Sequence, residues 1–67
     1  MKIYGVHTVQ EYKTAQTKLI NDWIDSHFIK GSVTWELSDP LHITITDKKG
    51  DTMVLHIDQI DGHYTAD

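Results

Sequence analysis

The sequence contains no cysteine and no arginine, and each absence argues against a class of protein. Without cysteine, the chain cannot build a disulfide framework or a zinc site made of thiolates. Arginine is the side chain best suited to bidentate recognition of phosphate and guanine, so its absence disfavours nucleic-acid binding. The six lysines are scattered along the chain, and the net charge is −4. We therefore expect no nucleic-acid partner, and salt-dependent affinity for DNA or RNA would contradict this expectation.

Long apolar runs are also missing. No stretch reaches the length of a signal-peptide core or a membrane span, which predicts a cytoplasmic protein without membrane association. The chain has 67 residues, so we expect one domain over residues 1–67. A domain of this size buries only about 60% of the surface of its unfolded chain, which leaves little room for a cleft. Phosphate-binding loops and nucleophile elbows are absent, and we predict neither an enzyme nor a cofactor.

One strong helix signal lies at residues 9–29. Thr8 and Glu11 fit a capping box, with Thr8 as the N-cap. Apolar residues then recur at helical spacing as far as Phe28, and Gly31 follows as a natural stop. These features predict an amphipathic helix that turns one face toward a core.

After the helix, apolar and polar residues alternate, which is typical of half-buried β-strands. Turn signals at Ser38-Asp39-Pro40 and Asp47-Lys48-Lys49-Gly50 separate the alternating runs. One helix on one face of an antiparallel meander would bury both apolar stripes, so the predicted class is α+β. The three predicted strands are 32–38, 41–47 and 52–58.

The two ends of the chain give weaker patterns. Residues 2–7 allow a short N-terminal edge strand, and the tail after Gly62 is expected to be irregular. The predicted core combines the apolar faces of the helix and the three strands. Its members are Leu19, Ile20, Trp23, Ile24, Phe28, Val33, Trp35, Leu37, Ile43, Ile45, Met53, Leu55 and Ile57.

Two histidines lie on the last two predicted strands. If Gly50 is a left-handed bulge residue, the turn places Ile45 opposite Met53 and His42 opposite His56. This register keeps the apolar residues on one face, whereas a slip of one residue would break that arrangement. The histidine Cβ atoms would then lie about 5 Å apart on the other face.

A carboxylate is predicted beside this histidine pair. A three-residue loop at Ser38-Asp39-Pro40 would place Glu36 opposite His42, giving the row Glu36, His42 and His56. Two imidazoles and a carboxylate can hold Zn²⁺ with one coordination position open, so a metal-binding protein is the alternative function. An ordinary polar ladder across the strands is the simpler interpretation, and we favour it.

The predicted function is a small protein-binding module, an inhibitor or a regulator, that acts through a sheet edge or the exposed sheet face. This face has few long flexible side chains, so ordering it on binding costs little entropy. An unpaired edge can also accept a strand from a second copy, which predicts a homodimer. The two histidines are expected to make the contact sensitive to acid. The predicted binding residues are Glu36, His42, Thr44, Val54 and His56.

The source of the protein is predicted from composition alone. All basic residues are lysines and isoleucine is abundant, which is typical of an AT-rich genome. Together with the small size, this favours a phage or another mobile element.

Overall fold

The computed structural model describes residues 1–66 and confirms the α+β class. Strands β2, β3 and β4 form an antiparallel sheet with β3 in the centre, and the helix α1 packs on one of its faces. Strands β1 and β5 pair in parallel as a separate two-stranded ribbon. The elements in chain order are β1 at Lys2–Tyr4, α1 at Val9–His27, β2 at Val33–Asp39, β3 at His42–Asp47, β4 at Thr52–His56, a 3₁₀ turn at Ile57–Gln59, and β5 at His63–Thr65.

Helix α1 begins where the capping pattern predicts. Thr8 Oγ1 accepts a hydrogen bond from the Glu11 N–H at 3.0 Å. Glu11 Oε2 accepts one from the N–H of His7 at 3.2 Å, one residue before the position that a capping box would use. These bonds satisfy one N–H group of the first helical turn and one just before it, which fixes the start of the helix.

The helix ends at His27, two residues earlier than predicted. Phe28 is extended at the C-cap, and its N–H still donates to the Ile24 carbonyl at 2.8 Å. Ile29 lies beyond the cap and is 84% exposed. Gly31 adopts φ +83° in the following turn, so it reverses the chain after the cap has already ended the helix.

The core lies between α1 and the helix-facing side of the sheet. Ile43 and Ile45 on the central strand pack with Ile20 and Ile24 of the helix, and all four are buried. The Trp35 Nε1–H also donates to Asn21 Oδ1 at 2.7 Å, which ties β2 to α1. The remaining core predictions that hold are Leu19 and Ile57, which are buried, and Trp23, Phe28, Val33, Trp35 and Leu55, which are half-buried.

Two core predictions were wrong. Leu37 is 45% exposed and Met53 is 43% exposed, although both lie on the helix-facing side of the sheet. Leu37 lies on the edge strand β2 and Met53 on the edge strand β4. A single helix covers the central strand, where Ile43 and Ile45 are buried. It does not reach fully across the three strands, so parts of both edge strands stay in contact with solvent.

The C-terminal segment forms a strand, which corrects the prediction of an irregular tail. Ile60 is fully buried in the core, directly after the 3₁₀ turn. Strand β5 then pairs with β1, with Ile3 opposite Tyr64, and the Ala66 N–H donates to the Tyr4 carbonyl at 2.9 Å. Asp67, the last residue of the predicted tail, lies outside the described residues.

The N-terminal strand forms within the predicted range 2–7, but it does not extend the meander. Because β1 pairs with β5, no strand within residues 1–66 adjoins the outer edge of either β2 or β4. Both outer strands of the three-stranded sheet therefore have one edge that is not paired with another strand of residues 1–66.

Candidate functional site

The turn between β3 and β4 sets the register of the site. Asp47 Oδ1 accepts hydrogen bonds from the N–H groups of Lys49 at 2.8 Å and Asp51 at 3.0 Å. The Gly50 N–H donates to the Asp47 carbonyl at 3.1 Å, and Gly50 has φ +90°, as a bulge residue at this position requires. The Asp47 side chain thus closes the turn in one geometry, and the strand register follows from it.

His42 and His56 meet as predicted. They are direct partners in the β3–β4 ladder, and their ring centroids lie 4.9 Å apart with the planes at 84°. The other predicted pairs of this hairpin, including Ile45 with Met53, are also confirmed. Both imidazoles are partly accessible, with 38% of the His42 side chain and 36% of the His56 side chain exposed.

The first hairpin has a different register from the predicted one. Glu36 pairs with Thr44, and Asp39 is the residue opposite His42. The loop contains two residues, at 40 and 41, and a bulge between Leu37 and Asp39 absorbs the extra residue. The prediction that Glu36 lies beside His42 was therefore wrong, and the metal row of Glu36, His42 and His56 is not assembled.

Asp39 shapes this loop through its own carboxylate. Asp39 Oδ1 accepts a hydrogen bond from the Leu41 N–H at 2.8 Å, an Asx turn that the Asp-Pro pair in the sequence signals. His42 Nδ1 lies 2.9 Å from the same oxygen and 3.0 Å from Oδ2. The bonds from His42 and from the Leu41 N–H favour the ionised form and lower the pKa of Asp39.

The two imidazoles use their Nδ1 atoms in opposite ways. His42 Nδ1–H donates to Asp39, because an ionised carboxylate can only accept. His56 Nδ1 accepts from the Asp58 N–H at 3.1 Å, which requires the neutral ring with its proton on Nε2. Asp58 Oδ2 also lies 3.5 Å from this nitrogen, a contact that becomes an ion pair only if His56 is protonated.

The remaining predicted binding residues lie on the sheet face opposite the helix. Glu36, Thr44 and Val54 form one row across the three strands, next to the row that holds the histidines. Val54 is 59% exposed, whereas Thr44 on the central strand is half-buried. The face also contains a shallow depression lined in part by Thr34 and Thr46. Besides Glu36, Val54 and the two histidines, this open face consists mostly of threonines.

A larger depression lies elsewhere, along the outer side of α1. It is open, and the residues that line it, which include Lys13, Lys18 and Asp22, are all of polar or charged types. Lys18 and Asp22 form an exposed ion pair one helical turn apart, at 3.0 Å. Exposed ion pairs of this kind contribute little to stability. The residues that line this groove form no reactive cluster, so the sheet remains the candidate site.

Metal binding has only partial support from the geometry. Within residues 1–66, no three histidine, cysteine, aspartate or glutamate side chains are grouped so that they could hold a metal ion. His42 and His56 nevertheless remain adjacent. His42 donates through Nδ1, which leaves the lone pair of its Nε2 available to a ligand. His56 carries its proton on Nε2 and could bind a metal there only if that proton moved to Nδ1. A metal ion at the pair would need further ligands from solvent.

The β4 edge exposes backbone groups in a defined pattern. Successive residues of an antiparallel strand direct their N–H and C=O groups alternately to its two sides. The Asp47 N–H donates to Asp51 C=O at 3.0 Å, and the Ile57 N–H donates to Leu41 C=O at 2.8 Å. Odd-numbered residues from 51 to 57 therefore bond toward β3, and the even-numbered residues of β4 direct their backbone groups outward.

Gln59 occupies one of these outward positions. The His56 N–H donates to Gln59 Oε1 at 3.0 Å, as part of the cap of the 3₁₀ turn. The outward N–H groups of Thr52 and Val54 have no such partner within residues 1–66. The pattern of Thr-Met-Val-Leu-His gave no direct signal for the Gln59 cap, because the cap depends on how the chain turns after the strand.

The two edges of the sheet differ in charge. Strand β2 contains Glu36 and Asp39, both exposed, and Pro40 follows it. Strand β4 contains no Asp, Glu, Lys or Pro, and its Met53 and Val54 are exposed. Charged residues and proline are the usual means of preventing an edge strand from pairing with another chain. The β4 strand itself lacks them, and the exposed Asp51 and Asp58 lie only beyond its two ends.

No protein-family model matches the chain, and neither the curated proteins nor the solved structures include a match to it. Within residues 1–66, no helix combines the length and the apolar character that a bilayer crossing requires.

Proposed function

We propose that the chain is a small protein-binding module, an inhibitor or regulator, that engages its partner through the β2–β3–β4 sheet. The observation that carries this proposal is the β4 edge, where outward backbone groups lie beside exposed apolar side chains and the strand itself contains no charged residue. A strand from a partner, or from a second copy, would gain main-chain hydrogen bonds at this edge.

The open face next to β4 supports the same proposal. Val54 and Thr44 lie in its central row, and His42 and His56 lie in the adjacent row. Threonine, valine and histidine lose less side-chain entropy on ordering than lysine or glutamate, so this face binds at a lower entropic cost than the charged outer side of α1. We propose a cytoplasmic setting and a phage or mobile-element source on the composition alone.

Paired substitutions test whether the sheet is the binding surface. Thr44→Lys with Val54→Lys adds two lysines to the open face, and Thr14→Lys with Thr17→Lys adds the same two charges to exposed positions of α1. A partner that the wild-type chain captures from the native host, confirmed with purified components, should be lost with the sheet pair and kept with the helix pair. Loss with the helix pair alone would refute the proposal.

A divalent metal ion at the histidine pair is the second candidate, with Asp39 orienting His42 through its Nδ1–H and solvent supplying the further ligands. It is favoured by the ring separation of 4.9 Å and by the hydrogen bond that orients the His42 ring, and it requires the His56 proton to move from Nε2 to Nδ1. Zinc titration followed by histidine NMR should shift the signals of His42 and His56 stoichiometrically. The other histidines, at 7, 27 and 63, serve as internal controls. Equal shifts at all five would indicate nonspecific binding and refute the candidate.

A further inference from the structure

We propose that the occupant of the β4 edge is a second copy of this chain, paired antiparallel about a two-fold axis at Val54. The inference rests on the proposed function, because it names the partner of the same surface. The strand contributes outward groups at Thr52, Val54 and His56, which are spaced evenly around its centre. An antiparallel copy centred on Val54 therefore places Val54 opposite its own counterpart and Thr52 opposite His56 of the second copy.

The hydrogen bonds of this pairing can be counted from the outward groups. The two Val54 residues exchange both of their N–H···O=C bonds, and each Thr52 N–H donates to the His56 carbonyl of the other copy. The His56 N–H would complete the ladder by exchanging Gln59 Oε1 for the Thr52 carbonyl of the second copy. That exchange replaces one hydrogen bond with another, so it changes the free energy of association little in either direction.

Side chains on the helix-facing side favour the same register. Met53 lies opposite Leu55 of the second copy and Leu55 opposite its Met53, so the pairing extends the apolar face where Met53 is now exposed. Moving the axis by one residue shifts the pairing by two residues. An axis at Met53 brings Asp51 opposite Leu55, and an axis at Leu55 brings Asp58 opposite Thr52. The Val54 register is therefore the one that pairs the whole strand without a charged residue in the ladder.

The other edge does not offer an equivalent surface. Its outward backbone groups belong to Val33, Trp35 and Leu37, but Glu36 and Asp39 are exposed on the same strand. Two such strands would bring four acidic side chains to one interface between chains that each have a net charge of −4. The β4 pairing keeps charge out of its ladder and leaves Asp51 and Asp58 of each copy at the two ends. The long-range repulsion between the copies would decrease as salt screens it.

Single-cysteine variants test the geometry directly, because the natural chain has no cysteine. Val54→Cys places the thiol at the proposed axis, and Thr34→Cys is a matched control on the same sheet face but on β2. A short bismaleimide should link Val54→Cys into covalent dimers at protein concentrations where Thr34→Cys stays monomeric. Linking of both variants, of neither, or of Thr34→Cys alone would overturn the proposal.

Sedimentation equilibrium provides the second measurement. Val54→Lys should raise the dimer dissociation constant at least about tenfold, because it sets two like charges opposite each other at the axis. Thr34→Lys should change it less than about twofold, and added salt should strengthen the wild-type dimer. Circular dichroism of each variant checks that it is folded. A wild-type chain that stays monomeric at millimolar concentration would overturn this inference, whereas partner capture lost only in the sheet variants would still support the proposed function.

Discussion

The burial of Ile60 leads to the most discriminating test of the fold. The residue follows the 3₁₀ turn, is 0% exposed and packs with Ile20, Ile24 and Ile57. Truncating a buried isoleucine to alanine costs about 2–5 kcal/mol, because it removes the transfer free energy of the side chain and leaves a cavity. With no exposure in the folded state, Ile60→Ala is expected in the upper half of this range, which would unfold much of a domain whose stability is on the order of 5 kcal/mol.

Ile60→Val gives the quantitative comparison. Removal of one buried methyl group should cost about 0.5–1.5 kcal/mol, which corresponds to a fall in Tm of about 4–8 °C for each kcal/mol in a domain of this size. Ile29→Val is the matched control, since Ile29 is 84% exposed and its substitution should change stability by less than about 0.5 kcal/mol.

Urea unfolding followed by tryptophan fluorescence measures both variants. Trp23 and Trp35 are half-buried against the core cluster, so their emission reports its exposure to solvent. We expect the midpoint to fall for Ile60→Val with an unchanged m value. If Ile60→Val costs no more than Ile29→Val, the chain after the 3₁₀ turn does not pack on the core, and the placement of β5 loses its main support.

Three further predictions concern the cap, the acidic loop and the chain ends. Thr8→Ala should cost about 1 kcal/mol in thermal unfolding because it removes the N-cap bond, and an equal cost for the exposed mid-helix variant Thr17→Ala would refute this reasoning. The pKa of Asp39 is lowered from 3.8, so its stabilising effect is complete above that pH and is lost as the pH falls through the lower folded value. Asp39→Asn should therefore flatten the acid end of the stability curve in urea titrations, and an unchanged acid slope would contradict the bonding described. Gly5→Ala should expose the β1–β5 amides to hydrogen exchange, because Gly5 has φ +77° and a Cβ there would overlap the Ala66 carbonyl oxygen; unchanged protection would show that this contact is absent.

The parts of the site that the sequence predicted depend on local interactions. The turn from Asp47 to Gly50 contains its own hydrogen-bond partners within four residues, and the alternation on either side permits one register. The pairing of His42 with His56 could therefore be predicted and is confirmed. The start of the helix at Thr8 is equally local, since its cap bond spans three residues.

The first hairpin shows where local reasoning stops. Two- and three-residue loops both suit Ser38-Asp39-Pro40-Leu41, and alternation alone cannot choose between them because a shift of two residues keeps every side chain on its face. The Asp39 carboxylate decides the outcome by bonding to the Leu41 N–H and to His42 at the same time. Glu36 was thus predicted on the correct face but one row away from its position.

Sequence pattern determined the class of fold, the helix, the three strands of the meander and the histidine pair, because each depends on contacts between residues close in the chain. Only the tertiary structure decided the parallel pairing of β1 with β5, the burial of Ile60 and the exposure of Leu37 and Met53. Those features join the two ends of the chain or depend on where a single helix lies across a wider sheet. The free energy that favours this arrangement comes from apolar surface that elements distant in sequence bury together. The spacing of residues within any one element does not encode it.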